Sequence, residues 1–179
     1  GEWSALFWQS LLAGPFDPDA CSIGQSDDVL FLSATAGGPG EFACDVPSGT
    51  ALLLTVLTGA FWCPDDCQPN ACAPGGTIAE LRACAASGFD IATVLECEVD
   101  GDPVENILSY RAESPVFSGV IGPSNPFGLP PHPYGPAVAD GIWIMVRPLS
   151  PGEHTIHFRA VLGPIEEPVF ETESTHHIT

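Results

Sequence analysis

Apolar residues recur along the chain at two different spacings, and each spacing predicts its own type of element. Near the start, apolar side chains beginning with Trp3 recur every three or four positions, which predicts a helix over about residues 2–12. A second helix is predicted over about residues 78–87, because Thr77 and Glu80 have the spacing of a capping box. Both helices are short, so we expect their apolar faces to pack on the rest of the domain.

The other apolar residues come in short runs separated by glycine and proline, a pattern typical of β-strands. Residues 51–57 have no polar face, so we expect this strand to lie in the centre of a sheet. Asp100 and Gly101 join two further runs and form the strongest hairpin signal in the chain. About eight or nine strands predict one domain over residues 1–179, an antiparallel β-sandwich of jelly-roll-like or immunoglobulin-like type.

Residues 62–76 interrupt this pattern with cysteine, proline and aspartate and show no periodicity. A long irregular loop is costly in entropy to order unless a cross-link holds it. We therefore expect this segment to be a loop that is stapled by disulfide bonds.

Charge excludes several classes of function. The chain has 23 acidic residues, four arginines and no lysine, which gives a net charge of −19. It cannot neutralise a run of phosphates, so nucleic-acid binding and polybasic attachment to membranes are both excluded. No apolar run approaches the roughly 18 residues of a transmembrane helix. At 45% hydrophobic residues, however, the chain is apolar enough to fold.

Seven cysteines constrain the class of protein further. They are Cys21, Cys44, Cys63, Cys67, Cys72, Cys84 and Cys97. This density favours disulfide bonds and an oxidising compartment. A zinc site usually has C-x2-C pairs, whereas the closest spacings here are C-x3-C and C-x4-C. The odd count leaves one thiol, which is either buried and inert or linked to a second chain. The residues after Gly1 lack the basic region of a signal peptide, so we expect a processed terminus and a secreted protein, extracellular or periplasmic.

Three stretches carry a resemblance to known sequences. They read CSIGQ at residues 21–25, CDVPSG at residues 44–49 and LSPGEHTIHF at residues 149–158. The chain resembles, over most of its length, a widespread group of uncharacterised secreted bacterial β-sandwich proteins with no established activity. The resemblance therefore implies a fold and export rather than a chemistry.

The same resemblance implies a disulfide pairing. It pairs Cys21 with Cys44 and Cys63 with Cys84. The three other cysteines, Cys67, Cys72 and Cys97, are then additions of this sequence. One bridge among those three would leave the single odd thiol.

Four histidines near the end of the chain form a candidate metal site. They are His154, His157, His176 and His177. If the last two strands pair antiparallel, one face of the sheet gathers two imidazoles with Glu173 or Thr175 close by, and imidazole suits Zn²⁺ or Cu²⁺. The alternative is that these are ordinary polar residues of paired strands, one of them hydrogen-bonded to a carboxylate.

Acidic loops form candidate calcium sites, because Ca²⁺ prefers oxygen ligands. The residues are Asp17, Asp19, Asp27, Asp28, Asp65 and Asp66. None of these clusters has the spacing of an EF-hand. Calcium is thus a candidate cofactor, and the expected sites are the loops near residues 15–28 and 62–70.

The proline-rich segment over residues 122–136 is a candidate binding loop. It carries Phe127, His132 and Tyr134, and a stiff loop loses little entropy when it binds. It could recognise a glycan or a neighbouring subunit, or it could simply cross the end of the sandwich.

Motifs of nucleophilic catalysis are absent from the sequence: it has no G-x-S-x-G and no glycine-rich phosphate loop. We therefore predict a secreted, acidic, non-enzymatic domain that acts by extracellular assembly or by ligand recognition, with Ca²⁺ as candidate cofactor. The alternative is a secreted metal-dependent enzyme that uses the terminal histidines with Zn²⁺ or Cu²⁺.

Overall fold

A computed structural model describes residues 1–32, 34–35, 37–62 and 76–179. Within these residues the chain forms two α-helices, two 3₁₀ helices and eleven β-strands. The α-helices are α1 (Glu2–Ala13) and α2 (Ile78–Ser87), and the 3₁₀ helices span Gly88–Ile91 and Ile107–Tyr110. The strands are β1 (Ser22–Ser26), β2 (Val29–Leu32), β3 (Gly38–Cys44), β4 (Ala51–Trp62), β5 (Ala92–Val99), β6 (Asp102–Pro103), β7 (Arg111–Glu113), β8 (Phe117–Ile121), β9 (His132–Val146), β10 (His154–Leu162) and β11 (Phe170–Ile178).

The strands form two sheets, which confirms the predicted β-sandwich. The six-stranded sheet has the order β1-β2-β4-β9-β7, with β8 also paired to β9, and the five-stranded sheet has the order β3-β11-β10-β5-β6. Most neighbours are antiparallel, but β2 pairs with β4 and β3 pairs with β11 in parallel. Both sheets are therefore mixed. Each parallel pair is joined by a connection longer than a hairpin turn, as parallel strands require.

Apolar side chains from both sheets fill the space between them. Leu54 of β4 and Ile142 of β9 are fully buried there, together with Ile156 and Phe158 of β10. The strand β4 lies between β2 and β9, which confirms its predicted central position.

Helix α1 covers the outer face of the six-stranded sheet. Its Phe7 packs edge-on against Trp143 of β9, with ring centroids 5.2 Å apart, and its Leu12 is fully buried. Phe31 of β2 and Leu53 of β4 belong to the same cluster. Helix α1 covers the outward face of β4, which explains why this face is apolar as well.

Helix α2 begins with the predicted capping box. Glu80 N donates to Thr77 Oγ1, and Thr77 N donates to the Glu80 carboxylate. Leu81 and Cys84 pack on Val138 of β9, whose side chain alternates with residues that face α1. The two helices therefore contact opposite faces of the six-stranded sheet.

The cysteines agree with the implied pairing as far as the structure describes them. Cys21 is disulfide-bonded to Cys44. Cys84 is also disulfide-bonded, and its implied partner Cys63 lies outside the described residues. Among the described cysteines, Cys97 is a free thiol that is buried, and burial raises its pKa to about 12.

In the described part of the chain, no helix is long and apolar enough to cross a membrane. The predicted loop over residues 62–76 falls almost wholly outside the described residues, and so do its candidate calcium ligands Asp65 and Asp66. The predicted hairpin at Asp100 is present, because Val99 pairs with Asp102 across it.

Candidate functional site

An apolar cleft of about 220 Å³ opens between α1, the proline-rich segment and the six-stranded sheet. Five aromatic residues line it, and we call it the aromatic cleft. They are Phe7, Trp8, Phe16, Phe127 and Phe170. None of the described residues that line the aromatic cleft carries a charge. A largely apolar cavity with few polar groups is the usual form of a small-molecule site.

Trp8 is held in a fixed orientation in the wall of the aromatic cleft. It is nearly buried, and its Nε1 donates to Thr58 Oγ1 of β4 over 3.1 Å. The Thr58 hydroxyl in turn donates to the carbonyl oxygen of Asp140 on β9 over 3.0 Å. The buried indole N–H is thus paired with a threonine hydroxyl, and that hydroxyl donates its own proton to a carbonyl oxygen.

A buried ion pair fixes β9 beside this contact. Arg111 donates to the Asp140 carboxylate from Nε and Nη2, the shortest distance being 2.6 Å. Gly141 N donates to the same carboxylate over 2.8 Å, and Asp140 is 2% exposed. The hydrogen bonds to Asp140 raise the pKa of Arg111, so the guanidinium stays charged. The strand that accepts the Thr58 hydrogen bond is therefore firmly placed.

The rim of the aromatic cleft is shaped by Asn125. Its Nδ2 donates to the carbonyl oxygens of Gly122 and Leu129, and its Oδ1 accepts from the backbone N–H groups of Phe127 and Leu129. All four bonds lie within one turn of the proline-rich segment. Asn125 therefore organises the loop that presents Phe127.

Phe127 stands at the mouth of the aromatic cleft. Its side chain is 49% exposed, and its ring stacks on Trp8 with centroids 6.3 Å apart and an interplanar angle of 18°. About half of the Phe127 side chain is thus open to contact with a ligand at the mouth of the cleft.

Thr55 of β4 is one of the residues that line the cleft. The residue is 4% exposed, and its Oγ1 has no hydrogen-bond partner among the described residues. A buried hydroxyl without a partner is costly, and a ligand that bonds to it would remove that cost. Sequence reasoning missed Thr55, although an isolated polar residue in the apolar run over residues 51–57 was a visible signal.

The three residues of the predicted binding loop are separated in the structure. Phe127 lines the aromatic cleft, and His132 begins β9 with its Nδ1 2.7 Å from the carbonyl oxygen of Pro130. Tyr134 does not lie on the surface: it is 4% exposed and packs against Trp62 and Phe117. Burial raises its pKa to about 12. Within this set, Phe127 is the residue that lines the aromatic cleft.

A second depression, of about 200 Å³, lies at the end of β11 away from Phe170. It is lined by the turns over residues 47–50 and 149–152 and by His154. His154 Nδ1 lies 2.7 Å from Asp100 Oδ2, and Nε2 lies 2.9 Å from the Ser150 carbonyl oxygen and 3.3 Å from Ser150 Oγ. We call this group of three residues the His154 clamp.

The His154 clamp has the composition of a hydrolase triad, but both ring nitrogens of His154 lie next to an oxygen that can only accept. A carbonyl oxygen can only accept, so Nε2 carries a proton when it bonds to Ser150, and Nδ1 carries one when it bonds to the Asp100 carboxylate. Both hydrogen bonds raise the pKa of His154, that from Asp100 more than that from Ser150. An imidazolium cannot take the proton of the Ser150 hydroxyl. The geometry thus favours a structural link between the hairpin after β5 and the turn before β10.

The other histidines lie at the predicted register but do not gather at one point. His157 and His177 face outward on the same side of the sheet, because their cross-strand partners are Thr175 and Thr155. His157 Nε2 lies 3.0 Å from Glu173 Oε1, as the alternative of paired polar residues expects.

His176 lies on the inner face and is fully buried. Its ring stacks on Phe42 and Phe158, with centroids 4.8 and 5.7 Å away. It is thus separated from His177 by the thickness of the sheet. Over the described residues, no three side chains of His, Cys, Asp or Glu form a group that could hold a metal ion.

The described candidate calcium ligands lie in or next to turns and take part in their hydrogen bonds or backbone geometry. Asp17 Oδ1 accepts from Asp19 N over 3.0 Å, and Asp27 has a positive φ of 50° in the turn between β1 and β2. Asp28 precedes β2, and its carbonyl oxygen accepts from Ala51 N. Calcium binding by these loops stays a prediction.

Comparisons with known proteins do not supply an assignment. No protein-family description, no curated protein and no solved structure matches this chain.

Proposed function

We propose that the protein is a secreted, non-enzymatic domain that acts by ligand recognition, and that the aromatic cleft is its binding site. The observation that carries this proposal is an apolar cleft with an exposed aromatic ring at its mouth, held by a loop whose hydrogen bonds Asn125 satisfies. A rigid loop loses little entropy when a ligand binds, and aromatic rings supply most of the contact energy in such sites.

Secretion is supported by the disulfide between Cys21 and Cys44, because such bonds persist in oxidising compartments. The net charge of −19 and the absence of lysine are consistent with a protein that stays soluble without binding to anionic surfaces. Ligand recognition is favoured over assembly because the cleft has the size of a small molecule rather than of a protein interface. Self-association and calcium dependence stay predictions, and light scattering with and without Ca²⁺ tests both.

Substitution at the mouth of the cleft tests the proposal. We expect the wild-type protein to bind toluene, a neutral one-ring probe, and Phe127→Ala to weaken binding roughly tenfold, because an aromatic contact contributes about 0.5–1.5 kcal/mol beyond the area it buries. Ligand-observed NMR titration measures the dissociation constants. The melting temperature should hardly change, since Phe127 is half exposed.

Val120→Ala is the matched control, because Val120 is also an exposed apolar residue, at 55%, but does not line the aromatic cleft. It should bind toluene as the wild type does. Equal affinity of Phe127→Ala and the wild type for toluene would remove the cleft as the binding site.

A further inference from the structure

We infer that the aromatic cleft selects an uncharged ligand of about one aromatic ring with a single hydrogen-bonding group that pairs with Thr55 Oγ1. This inference rests on the proposed function and names the class of ligand. Three properties of the cleft carry it: the charge of its lining, its volume and the state of its hydroxyl groups.

The lining excludes ions. None of the described residues that line the aromatic cleft is charged, so a charged ligand would lose its hydration without gaining a partner. An anion would in addition be repelled by a protein of net charge −19. The ligand is therefore neutral.

The volume limits the ligand to about one ring. A closed apolar cavity of about 150 Å³ is known to hold benzene in another protein. The aromatic cleft measures about 220 Å³, which leaves room for a ring with one or two small substituents. A ligand of this size contacts the rings of Trp8 and Phe127 at once.

Three threonines line the cleft, but their hydroxyl groups differ. Thr58 accepts from Trp8 Nε1 and donates to the carbonyl oxygen of Asp140, so its proton is used. Thr35 Oγ1 shares a hydrogen bond of 2.8 Å with Thr172 Oγ1 and donates to the carbonyl oxygen of Gly38. Thr55 Oγ1 has no partner among the described residues.

One unpaired hydroxyl matches one polar group on the ligand. Thr55 is shielded from bulk water, and a hydrogen bond is stronger in such surroundings. A sugar carries a hydroxyl on nearly every carbon, and most of these would lose water without finding a partner. The cleft thus favours a phenol-like compound over a glycan.

A pair of probes that differ by one hydroxyl tests the inference. Toluene and p-cresol have the same ring and methyl group, so the ratio of their dissociation constants isolates the hydroxyl. We expect Thr55→Val to weaken binding of p-cresol about tenfold relative to toluene, since the hydroxyl of p-cresol is then buried without a partner. Thr55→Ser keeps a hydroxyl and should restore the wild-type ratio.

The outcomes separate this inference from the proposed function. If the wild type binds neither probe, the proposed function fails and the inference fails with it. If both probes bind and Thr55→Val leaves their ratio unchanged, the cleft remains a binding site but the role of Thr55 is overturned. Tighter binding of methyl glucoside than of p-cresol would overturn the ligand class. A higher melting temperature of Thr55→Val would support the buried hydroxyl as an unpaired group.

Discussion

The aromatic cleft and the depression lined by His154 have similar volumes, about 220 and 200 Å³, but only the cleft is lined by a residue whose buried hydroxyl has no partner among the described residues. In the clamp, His154 bonds to both Asp100 and Ser150. In the cleft, Thr55 Oγ1 has no partner among the described residues. A ligand gains little from polar atoms that are already paired, and it gains most where a buried one is not. The titratable residues of the clamp are therefore already paired, and the unpaired hydroxyl belongs to a threonine.

The ion pairs of the two regions differ in the same way. Asp140, whose carbonyl oxygen accepts from Thr58 of the aromatic cleft, is buried, and its carboxylate accepts three hydrogen bonds from Arg111. Asp100 in the clamp is 44% exposed along its side chain and lies in a hairpin turn. Water therefore reaches the carboxylate of the Asp100–His154 pair, whereas in the Arg111–Asp140 pair it reaches the guanidinium, which is 34% exposed, but not the carboxylate. We therefore expect substitution in the Arg111–Asp140 pair to lower the free energy of unfolding more than substitution in the His154 clamp.

The largest effect is expected from Arg111→Met, which leaves the buried Asp140 carboxylate without its cation. Unfolding in urea should show a loss of about 3 kcal/mol, the lower end for a broken buried pair because Arg111 is 34% exposed. Arg82→Met is the matched control, since the pair of Arg82 with Glu113 is exposed and should be worth about 0–1 kcal/mol. Equal losses in the two variants would contradict the contrast between the regions.

A smaller loss, about 1–3 kcal/mol, is expected from Thr58→Val, because the buried Trp8 Nε1 then lacks an acceptor. Thr58→Ser retains the hydroxyl and should recover most of the stability and of the affinity for toluene. Ser150→Ala in the clamp should change stability by less than about 0.5 kcal/mol, because the carbonyl oxygen that faces His154 remains. A Thr58→Val variant as stable as the wild type would show that Trp8 does not need this bond.

The smallest effect is the pH dependence of the His154 clamp. The pKa of His154 is raised above 6.5, so its contribution to stability is fully present below pH 6.5 and is lost as the pH rises through the folded-state pKa. The pKa of Asp100 is lowered below 3.8, mainly by its hydrogen bond with His154, so its contribution is present above that pH and is lost on further acidification. The clamp should therefore stabilise the fold most between these two values.

Asp100→Asn isolates this effect, because asparagine tolerates the positive φ of 54° at this position and can still accept from Thr155 N. The melting temperature of the variant should depend less on pH above 6.5 than that of the wild type. NMR titration should place the pKa of His154 above 6.5 in the wild type and lower in Asp100→Asn. An unshifted His154 in the wild type would show that the clamp does not hold an imidazolium.

Much of the fold could be predicted because its signals are local. The capping box needs Thr77 and Glu80, which are three positions apart, and the hairpin needs Asp100 and Gly101, which are adjacent. The parallel pairing of β3 with β11 could not be predicted in this way, since it joins residues more than 130 positions apart, such as Thr172 and Gly38. Strand direction depends on the path of the connection rather than on alternation along the strand.

The candidate site was less accessible to sequence reasoning. Phe127 was identified because proline surrounds it, but Tyr134 in the same segment is buried once β9 pairs with β8. Trp8 and Asn125 were missed because their roles rest on Thr58 and on the loop carbonyls. The faces of the terminal histidines followed from alternation along the strands, but the distance between His157 and His177 depends on the register of β10 with β11.

By itself, the sequence determined the element types, the sandwich, the acidic and lysine-free surface and the position of the tight turns, because these depend on residues a few positions apart. Only the tertiary structure decided which polar atoms are paired. Asp100 reaches His154 from 54 positions away, and Thr58 reaches Asp140 from 82. Such bonds depend on sheet register and strand order. The same tertiary arrangement leaves the Thr55 hydroxyl without a partner among the described residues, in a residue that lines an apolar cleft.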